Sequence, residues 1–386
     1  MFCKNGFKSE IMPINTIIKN IAKKWLLSID RVTLFTVIGI ISIGVWVNIA
    51  STPGVALKLG LPPFYFVKQH MLILPICFSS IIFISFIQLK YIRKFAIIGY
   101  WMCIILVILT ILFGPDIKGA KRWLIIYGIS LQPSEFFKPL LAVITAWLIS
   151  EQYQDRKFPG IIISFVSIAL IIPLLLLQPD VGMTIVILLT WISQLFVSGL
   201  SVLMIGIFII TALSSLVGLY YTLPHFADRI DRFLMKSSED VDLYQVQKSL
   251  EAFKSGGLFG KGPGEGVIKT SVPDSHSDFV FSVIGEEFGF IVCAIIIGLF
   301  IILVIRPLLR IMKSSSIFIF SAVFGIVFQI TLQVLINIAT SLDLTPTKGM
   351  TLPFISYGGS SLLASSISIG IVLALTKKNI ILSESI

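Results

Sequence analysis

Long stretches of this chain carry no charge at all, and that feature limits what it can fold into more than any other. Met183–Phe196 and Phe290–Ile305 contain no Asp, Glu, Lys, Arg or His. A soluble helix interrupts its apolar stripe with polar positions every turn or two. About 20 mostly apolar residues suffice for a helix to cross the hydrocarbon layer. Only 13% of the 386 residues are charged, about half the share of a typical soluble domain. Ten such stretches are expected as spans: 32–50, 70–88, 95–113, 133–150, 161–177, 182–198, 201–222, 280–304, 316–338 and 358–376. Lipid offers the backbone no hydrogen-bond partners, so spans of this kind are helices. The expected fold is an all-α membrane protein of about ten transmembrane helices, with a large extracytoplasmic segment between helices 7 and 8.

The net charge is +10. Many of the basic residues sit in short loops between apolar stretches, which marks them as topology determinants and lipid-headgroup contacts rather than a nucleic-acid surface. With the N-terminus inside, 16 Lys and Arg fall in cytoplasmic segments and six in the short outer loops. This bias puts both termini in the cytoplasm. Residues 1–31 form a basic cytoplasmic tail, in which Ile14–Ile29 reads as an interfacial helix or a disordered arm. Residues 32–376 form the membrane domain and 377–386 a short cytoplasmic tail. The first apolar run is too long for a signal peptide, and no A-x-A site follows it. Cys77, Cys103 and Cys293 lie within apolar stretches and Cys3 in the tail, a spacing that fits neither a disulfide framework nor a metal site.

The segment 223–279 is polar and lies outside the spans. Asp242 is placed to cap a short helix, with Val246, Leu250 and Phe253 as its apolar stripe and Gly256-Gly257 as its stop. This helix is expected to lie on the outer leaflet or against the bundle. Gly260–Gly266 reads as a flexible turn; it lacks the Ser or Thr of a phosphate loop.

Polar residues at membrane depth are costly, so their positions are informative. Four clusters fall at the expected outer face. The first runs from Gly119–Trp123, with Lys121 and Arg122, to Gln132–Lys138, where Glu135 and Lys138 share a helix face. The second is Gln178–Gly182, centred on Asp180. The third is Pro273–Asp278 with His276, followed by Glu286 and Glu287. The fourth is Thr345–Ser361, rich in Gly, Pro and hydroxyls, with Lys348, Ser356 and Ser360. Each has a plain structural alternative: interfacial anchors with a local ion pair, a capped turn, a capped helix start with paired acids, and a re-entrant turn. Asp278 sits where the long outer segment re-enters the membrane. Partial burial raises a carboxylate's pKa and makes it a usable base.

Taken in order, Gly119–Trp123, Gln132–Lys138, Gln178–Gly182, Ser255–Gly262, His276–Phe281 with Gly285–Glu287, and Pro353–Ser361 resemble the SEDS family (shape, elongation, division and sporulation) over nearly the whole chain. Pro346–Gly349 before Leu352–Ser356 is more similar to its division branch, FtsW, than to its elongation branch, RodA. The resemblance implies a peptidoglycan glycosyltransferase that polymerises lipid II at the outer face of the inner membrane, at the division septum. It further implies a class B penicillin-binding protein of the FtsI type as partner, alongside other divisome proteins. The family's essential Asp falls on Asp278, with Ser277 replacing the motif's Thr and Asp274 its Glu. On this reading Asp278 is the base, while Arg122, Lys121 and Lys138 offset pyrophosphate charge. Glu135 and Asp180 order the cavity, and His276, Lys348, Ser356 and Ser360 complete the substrate-binding set. No protein metal site is expected; a divalent cation, Mg or Mn, is the one cofactor candidate. A lipid II flippase and a non-enzymatic scaffold that activates a penicillin-binding protein are the alternatives.

Overall fold

The computed structural model describes residues 23–117, 119–126, 129–200, 202–222, 227, 231, 241–272, 274–345 and 349–378. In chain order the elements are α1 (Arg31–Lys58), α2 (Tyr65–Phe86), α3 (Leu89–Phe113), β1 (Leu124–Ile126), β2 (Ile129–Leu131), α4 (Ser134–Gln154), α5 (Gly160–Leu177) and α6 (Val181–Val197). They continue with α7 (Val202–Thr222), α8 (Val241–Gly256), a 3-10 turn (Ile268–Thr270), α9 (Val280–Ile311), α10 (Ile317–Ser341) and α11 (Gly359–Leu375). A helix occupies each of the ten expected stretches. Six of them, α1, α2, α3, α5, α9 and α10, are long and apolar enough to cross a membrane, and α6 and α11 are shorter apolar helices. The chain is a multi-pass helical membrane protein. The expected interfacial helix over 14–29 lies mostly outside the described residues. Its described end, 23–28, is helical, and Trp25 Nε1 donates to Ser85 Oγ at 2.8 Å.

The β1–β2 hairpin was not expected. Leu124 pairs with Leu131, Ile125 with Ser130 and Ile126 with Ile129. It bridges α3 and α4 and brings Gln132 beside Ser360, whose Oγ accepts the Gln132 N–H at 2.9 Å.

Helix α4 is the axis of the bundle. Every residue from Phe137 to Ala146 is buried, and the helix packs against α3, α5, α6, α10 and α11. A helix covered all round must satisfy its polar side chains within the protein. At one end of the bundle the ion pairs are Arg93–Glu151 and Asp30 with Arg306 and Arg310. The four polar clusters lie at the other end.

Helix α8 lies against the bundle, on α9, with Val246 buried and Phe253 against Phe281. Asp242, expected as its cap, falls within the described helix, and the residues before Val241 lie outside the described ones. Gly260–Gly266 contains the expected turn, with Glu265 N–H donating to Gly262 O at 3.1 Å, and its first residues also pack into α9. Gly289 breaks α9 with φ 79° and ψ 178°, and the chain around Gly260 fills the break. Lys261 N–H donates to Glu286 O and Gly262 N–H to Glu287 O, both at 2.9 Å, while Phe290 N–H donates to Gly257 O at 3.0 Å. The backbone groups that a broken helix leaves orphaned are thereby satisfied. Only glycine fits at 260, because a Cβ there would sit 2.2 Å from the Glu287 carbonyl oxygen.

Candidate active site

The first two clusters are strapped together. Arg122 Nε donates to Gln178 O at 3.0 Å, and its guanidinium also reaches Pro179 O. In return Gln178 Nε2 donates to Lys121 O at 3.0 Å. Asp180, buried at the start of α6, accepts the Met183 N–H at 3.3 Å. Burial pushes its carboxyl above the ordinary range, opposed by the Arg122 guanidinium, the Met183 N–H and the Lys138 ammonium; Glu135 pushes the same way as burial. Lys138 Nζ donates to Glu135 Oε2 at 2.6 Å and to Gln333 Oε1 at 3.0 Å. The helical spacing of Glu135 and Lys138 thus yields a buried pair, with Gln333 of α10 as its third member.

The third and fourth clusters form one wall. Asp274, in the left-handed region at φ 51°, turns the chain so that its carbonyl accepts from the N–H groups of Ser277 and Asp278, at 3.0 and 3.1 Å. Asp278 is half-buried just before α9. Its carbonyl accepts from Asn337 Nδ2 at 2.9 Å, and the same nitrogen donates to Met350 O at 2.6 Å. A Cβ at Gly349 would stand 3.5 Å from Asp278 Oδ2. Ser356 Oγ donates to Ser277 O at 2.6 Å and accepts from Leu352 N–H at 2.8 Å. Tyr357 N–H donates to His276 O at 2.9 Å, and the His276 ring lies on Phe66, centroids 5.4 Å apart. Asn48 of α1 anchors the far side, donating to Ile355 O at 2.7 Å.

Helix α10 joins the two halves. Gln333 and Asn337 are one turn apart and share a face; one holds Lys138 and the other holds the Asp278 turn. Neither was singled out from the sequence. The signal was there in Gln329, Gln333 and Asn337, amides at four-residue intervals in an otherwise apolar stretch.

Several expected site residues turn out to hold structure. Lys138 is neutralised by Glu135. Ser356 and Ser360 spend their hydroxyls on loop backbone. Glu286 accepts from the N–H groups of Ile268 and Lys269, and Glu287 pairs with Lys269, so both acids face the segment that precedes α9. Lys121 is exposed, and Lys348 lies outside the described residues. Among the described residues no group of three or more His, Cys, Asp and Glu is placed to hold a metal ion.

A helical multi-pass membrane protein whose four polar clusters gather at one end of the bundle, joined through one helix, is the class this geometry defines. The cell cycle protein family FtsW/RodA/SpoVE matches residues 30–380, and the chain belongs to that family. A probable peptidoglycan glycosyltransferase FtsW from Caulobacter vibrioides is 38% identical over 360 residues, covering 92% of this chain and 90% of that protein. A probable FtsW from Trichlorobacter lovleyi is 34% identical, covering 89% of this chain and 92% of the relative. Among solved structures, a chain of a peptidoglycan synthase complex that coordinates polymerization and crosslinking superposes with a TM-score of 0.73. It is 25% identical and is covered over 98% of its length by 91% of this chain. The rod shape determining protein RodA of Thermus thermophilus gives a TM-score of 0.66 at 26% identity, with 91% of this chain and 97% of that one covered.

Proposed function

We propose that this chain is a peptidoglycan glycosyltransferase of the division type, which polymerises lipid II into glycan strands at the outer face of the inner membrane. The observation that carries the reading is the fixed, half-buried position of Asp278. Its turn is clamped by Asn337 and by the 349–357 wall, at the same end of the bundle as Arg122 and Asp180. Ten spans follow from the apolar stretches, and cytoplasmic termini from the Lys and Arg bias, which places this end outside. Septal localisation, a class B penicillin-binding protein of the FtsI type and other divisome proteins belong to the same reading. The FtsW relatives and the peptidoglycan synthase complex among the similar structures support it.

In the reaction, the acceptor's 4-hydroxyl gives its proton to the Asp278 carboxylate. Its oxygen bonds to the donor's anomeric carbon as the bond to phosphate breaks, and undecaprenyl pyrophosphate leaves. General-base help of this kind contributes about 10²–10⁴-fold. Arg122 is assigned the charge growing on the pyrophosphate, with Lys121 and Lys348 as further cations for the headgroup. Lys138, Glu135 and Asp180 hold the floor of the site. The described donor set does not suit a resident Mg or Mn ion, so no step is routed through one. The test is polymerisation of labelled lipid II by purified Asp278→Asn with its partner. We expect loss of glycan product in a protein that still folds and binds its partner. Wild-type polymerisation refutes the reading, and translocation of lipid II without polymer makes the chain a flippase.

A further inference from the structure

Two adjacent acids in α9 and one lysine in the extracytoplasmic segment form a closed clasp, and the reaction as proposed does not use them. Glu286 is buried and accepts two backbone N–H groups, from Ile268 at 2.8 Å and from Lys269 at 2.7 Å. These two residues open the 3-10 turn, so the carboxylate caps it, where negative charge is favoured. Lys269 is 7% exposed. Its ammonium donates to Ala50 O at 3.0 Å, to Gly264 O at 3.2 Å and to Glu287 Oε1. That uses all three of its protons and ties the segment to α1 as well as to α9.

The clasp closes a loop of the chain from Ile268 to Glu286, and Asp278 lies inside that loop. A packed path connects them. Ile268 of the 3-10 turn, Val272 and Phe279 belong to one small apolar cluster, completed by Val246 and Leu250 of α8 and separate from the main core. Phe279 is 1% exposed and adjoins Asp278 in sequence. Movement of the 3-10 turn therefore shifts the seat of Phe279 and, with it, the neighbouring carboxylate. Asn337 fixes the same turn from the α10 side.

We propose that Lys269, Glu286 and Glu287 are positioning residues: the clasp they form sets the location of the Asp278 carboxylate relative to the incoming sugar hydroxyl. The inference rests on the proposed reaction and adds the elements that hold its base in place. Displacing a reacting group by about 1 Å costs on the order of 10²-fold in rate.

The test must separate positioning from mere stability. Removing one member of a buried pair leaves an uncompensated charge and destabilises the fold, whereas replacing both with apolar residues is often neutral. The double variant Lys269→Met/Glu287→Leu is therefore assayed with Glu286→Gln, which loses the charge but keeps the shape. Lipid II polymerisation by the full chain with its partner is followed alongside thermal unfolding. The expected result is a double variant with a near-wild-type unfolding midpoint, kcat lowered on the order of 10²-fold and KM little changed. Should the double variant unfold, the same split is read on Glu286→Gln. Glu286→Asp is expected to regain part of the lost kcat. Wild-type kcat in a folded variant, with Asp278→Asn inactive, overturns the positioning role and leaves the reaction standing. Wild-type activity in Asp278→Asn removes both.

Discussion

Asn337→Leu offers the sharpest perturbation of the site, because one side-chain nitrogen joins both halves of the wall. The substitution keeps the volume close and deletes two hydrogen bonds, to Asp278 O at 2.9 Å and to Met350 O at 2.6 Å. Side-chain bonds of this kind contribute about 0.6–1.7 kcal/mol each in membrane proteins. Losing both costs about 1–3 kcal/mol, concentrated on the two turns that flank Asp278. If that energy holds the carboxylate in place, kcat should fall about 5–150-fold, at ~1.36 kcal/mol per decade. Distant parts of the bundle should be unaffected, since α10 keeps its other packing. The assay is steady-state polymerisation of labelled lipid II with the partner protein, paired with a thermal unfolding curve. A lowered midpoint with kcat within about twofold of wild type would show that Asn337 stabilises the wall without aiming the base, and the argument from α10 would fail.

Two further outcomes follow from individual contacts. Gly44→Ala places a Cβ 2.4 Å from the Phe354 carbonyl oxygen and 3.0 Å from Ile355 Cα. Backbone must move, so a loss of about 1–3 kcal/mol in stability is expected, together with reduced polymerisation; an unchanged unfolding midpoint would contradict it. For Asp180, burial holds the carboxyl's pKa above its unfolded value. The stability tied to its protonation is fully present below the unfolded pKa and is lost as pH rises through the raised folded one. Relative to Asp180→Asn, which can still cap α6, the wild type should gain in unfolding midpoint as pH falls from neutrality towards the ordinary carboxylate range. A difference that is flat with pH, or that grows the other way, would count against a buried, disfavoured charge.

The helices were legible because lipid forces the backbone to satisfy itself, so charge-free stretches translate directly into helical elements. The ionisable members of the site were legible for the related reason that charge near an apolar run is expensive. What could not be read was which groups meet. Lys138 finds Gln333 and Asn48 finds Ile355 across 195 and 307 residues, and no local spacing encodes either pair. Amides also signal weakly: Gln333 and Asn337 carry no charge and vanish into a hydropathy average. The β1–β2 hairpin is three residues a side, shorter than any periodicity test resolves. Glu286 and Glu287 looked functional from sequence alone, since the pattern shows two acids in a membrane helix and cannot show Lys269 reaching them from the preceding segment.

Burial divides the acids at this end of the bundle by task. Glu135, Asp180, Glu286 and Glu287 are all buried. Lys138, the Met183 N–H with Arg122 close by, two backbone N–H groups and Lys269 answer them in that order. A carboxylate held in this way has no room for a sugar hydroxyl at its oxygens, so it serves geometry. A general base needs the opposite: a carboxylate within hydrogen-bond reach of the proton it takes, which requires open surface beside it. Asp278 is half-buried, between the re-entering segment and the Gly349 turn. The same argument explains why the fold invests so many fixed contacts in the backbone on either side of it. The side chain has to remain accessible to substrate, so its position must be set through Asn337, Ser356 and Phe279 rather than by burying the carboxylate itself.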